Sequence, residues 1–140
     1  MKKFFSTAYS EGAFNVAILA LRVAFGLILC FFYGIDKLKN FGHLQYVFPD
    51  PFHIGHRISL VLVVFAELLC SLLIALGLFT RFAALVAVIS MAVAEWWAYH
   101  GHVGMVGGMP HEQAYLYLVA FFVILCVGPG RISVDGAMGK

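Results

Sequence analysis

Charge is what this sequence has least of. Only 11% of its 140 residues are Asp, Glu, Lys or Arg, against about 25% in a soluble domain. So few charges cannot cover a water-facing surface, so most of the chain's solvent must be lipid. Basic runs are missing too, and the net charge is only +2. That balance argues against nucleic acid as a partner. Cysteine is sparse: Cys30, Cys70 and Cys126 stand singly in apolar runs, with no C-x-x-C pair. They read as small core hydrophobes. No stretch alternates as a strand does, and no internal repeat is visible. "GMVGGMP" is neither a phosphate-binding loop nor a dinucleotide fingerprint. No Ser or Cys has an evident base beside it, which argues against nucleophilic catalysis.

What the sequence does have is apolar length, with 63% hydrophobic residues. A helix needs about 20 residues to cross the hydrocarbon core. Candidate spans run over 13–35, 58–79, 82–99 and 113–128. "LGLFTRF" at Leu76–Phe82 allows only a tight turn, so the second and third spans form a hairpin. Pro129, between two glycines, ends the fourth. The expected fold is all-α, a four-transmembrane-helix antiparallel bundle in one membrane domain, residues 1–140. A long loop at 36–57 and a short tail at 129–140 complete it. "MKK" opens like a signal peptide, but the following run is too long and lacks a cleavage site. "LILC" lacks the small residue that a lipoprotein box needs before its Cys. The N-terminus is therefore expected to be retained.

Orientation follows from Lys and Arg. One side holds Lys2, Lys3, Arg81, Arg131 and Lys140; the other holds Lys37, Lys39 and Arg57. This bias places both termini in the cytoplasm. His43, His53 and His56 follow the first span, and His100, His102 and His111 follow the third. All six then lie on the outer face. The connection "FGHLQYVFPDPFHIGHR" on that face is long enough to be functional or lid-like. Trp96, Trp97 and Tyr99 fit an interfacial aromatic belt.

Some charges fall inside the spans. Arg22 and Glu67 each stand near mid-depth, where a lone charge costs at least ~3 kcal/mol. Opposite signs on consecutive antiparallel helices predict an Arg22–Glu67 pair. It would fasten the bundle, contribute to a ligand or proton site, or do both. Asp36 and Lys37 close the first helix, Glu95 and His100 end the third, and Glu112 opens the fourth beside a favourable helix dipole. Asp36, Lys37, Glu95, His100, His102 and Glu112 are expected to converge on one outward mouth, where Lys37, His100 and Glu112 would make polar or proton-handling contacts. A metal reading rests on His53, His56, His100 and His102. The imidazoles suffice in number, but no H-E-x-x-H or Cys/His cluster fixes a geometry, so no metal is favoured.

Together these motifs resemble the DoxX family of membrane proteins. "LRVAFGLILCFFYGIDKL" is similar to its first helix through Arg22, Gly26, Gly34, Lys37 and Leu38. "FAELLCSLLIALGLFTRFAAL" is similar to its hairpin through Glu67, Gly77, Leu78, Thr80, Arg81, Ala83 and Ala84. His100 stands where the family often has a His. "GPGRISVD" is similar to its ending through Gly128, Pro129, Gly130, Ser133 and Asp135. The resemblance covers Arg22 to Asp135. The chain departs from it after Glu67, where Leu68, Leu69 and Cys70 replace a small-residue pair. Its loop after the first helix is also longer and richer in His.

The resemblance implies membrane redox processes: quinone-linked oxidation subunits, and partners in oxidative-stress or thiol-homeostasis assemblies. More distant relatives exchange disulfides through a C-x-x-C pair that this chain lacks. The expectation is a redox-associated protein of a bacterial inner membrane, acting as a subunit or accessory factor with membrane or redox protein partners. A small apolar or quinone-type pocket would lie near the outer face, with Arg22 and Glu67 at its floor. Whether it is catalytic is left open by the sequence. The rivals are a non-catalytic scaffold or assembly subunit of a larger complex, and a metal-binding outer face.

Overall fold

Ser10 starts the first helix by accepting a hydrogen bond from the Ala13 amide at 3.4 Å, with Glu11 at the favourable N-terminus. The computed structural model describes residues 8, 10–47, 53–99, 105–106 and 109–139. Helix α1 runs from Glu11 to Lys39 as one 29-residue rod. It stops at Asn40, whose side-chain amide donates to the Asp36 carbonyl at 2.9 Å. A short helix α2 follows at Phe41–Val47. The connection after the first span is thus partly helical. Helix α3 runs from His56 to Leu76, α4 from Thr80 to Tyr99 and α5 from His111 to Val127. A last turn, α6, covers Val134–Ala137. Between α4 and α5, Met105–Val106 (β1) pairs antiparallel with Met109–Pro110 (β2). Apart from that ribbon, the described residues form helices and turns.

Two of these helices, α1 and the 21-residue α3, are long and apolar enough to cross a membrane. The apolar stretch Gln113–Val127 is shorter. α1 and α3 pack antiparallel, because rising numbers on one meet falling numbers on the other. A Cβ on Gly26 would lie 2.6 Å from the Ser71 carbonyl oxygen, and one on Gly34 would lie 2.9 Å from that of Glu67. Two glycines therefore bring the backbones into direct contact, as small residues do between helices in lipid. α4 packs most extensively on α5. Ala83, Ala84 and Ala87 are fully buried there, and the core continues through Leu29, Ile74, Met91, Phe121 and Ile124.

Each of the two long helices contains a π-helical segment: Leu29–Gly34 in α1 and Phe65–Cys70 in α3. The two segments face each other. π turns are rare and occur often at functional sites.

The segment after α5 is folded, not a loose tail. Gly77 ends α3 in the left-handed conformation, φ 75°. The Asp135 amide donates to the Gly77 carbonyl at 2.8 Å. The Asp135 carboxylate then accepts from the Phe79 amide, the Thr80 amide and the Thr80 hydroxyl, at 3.0, 3.0 and 2.9 Å. The tail supplies the N-cap of α4 from 55 residues away in sequence. Ser133 caps α6 in turn, accepting from the Gly136 amide.

Candidate ligand site beside a buried ion pair

The strongest polar contact between α1 and α3 is the Lys37 ammonium on the Glu67 carboxylate, 2.6 Å apart. Both side chains are almost fully buried, at 3% and 6% exposure. Gly34 makes this possible, since any side chain there would strike the backbone of Glu67 and Leu68. The Tyr33 ring lies 5.5 Å from the ammonium, in cation–π range. Tyr33 also donates its hydroxyl proton to the Gln113 side-chain oxygen on α5. The Tyr117 ring packs edge-on to Tyr33 and Phe25.

The expected Arg22–Glu67 pair is not what forms. Arg22 donates to the Ile132 carbonyl at 2.6 Å, and its guanidinium lies against Gly77 and Ser133. Its charge is felt by Asp135. Among the described residues its Nε and Nη1 have no hydrogen-bond partner. They rest near the C-terminus of α3, where a helix dipole welcomes a cation. Gly77 is ten residues beyond Glu67, about 15 Å along a helix. Depth counted from the expected span ends misled because α1 extends past residue 35 to Lys39 and carries Lys37 into the bundle. Each buried cation on α1 therefore serves a different end of α3.

A groove of about 240 Å³ opens between α1 and α5, lined by Phe25, Ile28, Phe32, Tyr33, Gln113, Leu116 and Tyr117. Phe32 and Leu116 are 70% and 59% exposed, so it is open at the side of the helices. Its polar end is the Tyr33–Gln113 pair, adjacent to Lys37 and Glu67. The lining is otherwise aromatic and aliphatic. Such a shape takes a flat apolar ring whose polar edge reaches a hydrogen-bonding pair.

The remaining expected site residues are distributed unevenly. Glu95 is half-buried on α4. His100 and His102, and the side chain of Glu112, lie outside the described residues. His53 is in the turn before α3, and His56 opens that helix. Among the described residues no three His, Cys, Asp or Glu side chains gather as a metal site would require. Cys30 and Cys70 are buried free thiols, and Cys126 is exposed.

Sequence reasoning missed Tyr33, Gln113, Tyr117 and Ser71. One signal was available: Tyr33 precedes Lys37 by four residues, the spacing that puts two side chains on one helix face. Nothing in the sequence joined α1 to α5 at Gln113.

The DoxX family model matches residues 17–100. That stretch holds both π segments, the ion pair and the Gly77 turn. The chain belongs to the DoxX family. Family membership and the two long apolar helices together point to a membrane protein. A relative from Haemophilus influenzae, described as an uncharacterized protein, is 31% identical over 132 residues. The match covers 90% of this chain and 85% of that one. No solved structure matches.

The geometry shows what several DoxX-like motif residues do in this chain. Arg22, Gly77, Thr80, Ser133 and Asp135 meet in one knot at the tail. Gly128 lies under the Arg81 guanidinium, where a Cβ would come 3.2 Å from its nitrogens. Gly34, Lys37 and Glu67 make the other end.

Proposed function

We propose that this DoxX protein binds a lipid-borne, quinone-type ring in the groove between α1 and α5, as a subunit or accessory factor of a membrane redox system. One observation carries the reading: an aromatic groove open at the side ends on a Tyr–Gln pair beside a buried Lys–Glu pair. The fit is consistent in size. About 240 Å³ is below the ~300 Å³ at which drug-sized pockets begin. It admits one ring, and a prenyl tail would trail along Ile28, Phe32 and Leu116. Tyr33 and Gln113 would orient the ring edge by hydrogen bonds. Phe25 and Tyr117 would stack on or edge against its face. Lys37 would bias the polar end toward negative charge, and Glu67 would hold or release a proton next to it. A bound quinone supplies two-electron, two-proton carrier chemistry.

In this reading α1, α3, α4 and α5 form a four-helix bundle that crosses a bacterial inner membrane. Both termini and the Arg81 turn face the cytoplasm, and the groove's polar end lies toward the outer face. The Lys and Arg distribution supports that orientation. Thiol labelling of Lys3→Cys and Ile54→Cys in intact cells, on a cysteine-free background, tests it. Labelling at position 54 alone is expected, and labelling at position 3 alone reverses the orientation.

Purification from native membranes, with lipid and quinone analysis, tests the ligand. Quinone should accompany the wild type and be lost from a Tyr33→Phe/Gln113→Ala variant. Equal retention by both removes the groove from consideration. A protein partner retained by both, with no quinone in either, would support the scaffold reading instead.

A further inference from the structure

Ser71 sits one turn beyond Glu67, within the α3 core. Its hydroxyl donates to the Glu67 carbonyl, and the Leu68 carbonyl lies 3.2 Å away. A π turn leaves carbonyls without their ordinary i+4 amide, and here a Ser side chain takes one of them. The same segment presses its Glu67 carbonyl onto Gly34 of the opposite π segment. Backbone and side chain of Glu67 are thus held separately: the carbonyl by Ser71 and Gly34, the carboxylate by Lys37.

A π turn contains one residue too many for an α turn. If the extra residue moves along the helix, every residue it passes rotates by about 100° about the axis. Movement past Glu67 would carry the carboxylate away from Lys37. The groove begins next to the pair: the Tyr33 ring lies 5.5 Å from the Lys37 ammonium, and Tyr33, its partner Gln113 and Tyr117 line the groove. Lys37 is the one cation facing Glu67 among the described residues.

We propose that Ser71 is the latch of a movable π turn in α3, and that shifting this turn passes the Glu67 carboxyl from Lys37 toward the groove. Ser71 is a positioning residue, since it touches the backbone of Glu67 and not the groove. The proposal concerns the same site as the quinone-type reading, yet its test needs no ligand.

Dicyclohexylcarbodiimide, a membrane-permeant reagent, attacks protonated carboxyls that are not held in an ion pair. Labelling of Glu67 in membranes, located by peptide mass spectrometry, therefore reports release from Lys37. Ser71→Ala should raise labelling about fivefold, the scale of one lost hydrogen bond, while Ser71→Thr stays at the wild-type level. Lys37→Met sets the upper limit, and Ser71→Ala added to it should change nothing further. Wild-type labelling in Ser71→Ala overturns the proposal. So does an additive effect on Lys37→Met, which would mark general loosening. If Ser71→Ala does not accumulate in membranes, the near-isosteric Ser71→Cys must show an intermediate rise, and no rise overturns the latch. A normal latch with no quinone binding would sink the ligand reading alone.

Discussion

The two ends of the α1–α3 pair solve the same problem in different ways. At the tail end, Arg22 is buried and Asp135 caps α4 with three hydrogen bonds. Every strong contact there goes to backbone or to a neighbouring turn, so the charges fasten the chain. At the other end, Lys37 and Glu67 pair with each other under the Tyr33 ring, beside an open groove and two π segments. Arg suits the first task because its planar fork can reach a carbonyl and a helix terminus together. Lys suits the second as a compact charge on a flexible stem, able to exchange partners. Both ends bury charge, so burial alone does not tell them apart; the adjoining groove and the facing π segments do.

The sharpest way to break this comparison is to remove one partner of the exchangeable pair. Lys37→Met should lower stability by about 3 kcal/mol, because it strands a buried carboxylate. Lys37→Met with Glu67→Leu should recover most of that loss, and ligand binding should remain absent. Denaturant unfolding in detergent, beside a quinone-binding assay, separates the two effects. Asp135→Ala should cost about 2 kcal/mol through the lost cap and its hydrogen bonds. Its quinone binding should stay within about twofold of wild type, below the effect of one neutral hydrogen bond. Equal losses of stability and binding would mean the two ends are not separate.

Tyr33→Phe tests the groove more gently. It removes one hydrogen bond, worth about 1 kcal/mol, and should weaken ring binding about fivefold with little change in thermal midpoint. The smallest effect belongs to the exposed Glu11–Arg131 pair, whose side chains are 53% and 77% exposed. Glu11→Gln should shift stability by less than about 0.5 kcal/mol, and less still at high salt. A large loss there would show that the tail is anchored at Arg131 and not at Asp135.

Much of the fold was legible because lipid imposes length and the turns impose glycine and proline. Gly77 and Pro129 marked span ends close to where the helices stop. The "GPGRISVD" ending was recognisable as a motif, but its purpose was not. Asp135 caps a helix that starts at Thr80, and no local pattern links the two. The charges were legible as candidates and misleading as partners. Helix ends alone cannot give the stagger between two rods, which here depends on Gly26 and Gly34 meeting Ser71 and Glu67. The π segments left no pattern at all, since a single extra residue per turn is invisible in an apolar run. The groove depends on α1 meeting α5 at Tyr33 and Gln113, a contact 80 residues apart.

The central claim is that a ring binds where the exchangeable pair meets the groove. The direct measurement is equilibrium binding of a short-chain quinone to purified protein in lipid nanodiscs. It should be run on wild type, Tyr33→Phe/Gln113→Ala, Glu67→Gln and Asp135→Ala. Saturable binding by wild type and Asp135→Ala, lost in the groove variant and weakened in Glu67→Gln, is the expected result. Non-saturating uptake that is the same in all four, and equal to empty nanodiscs, would contradict the account.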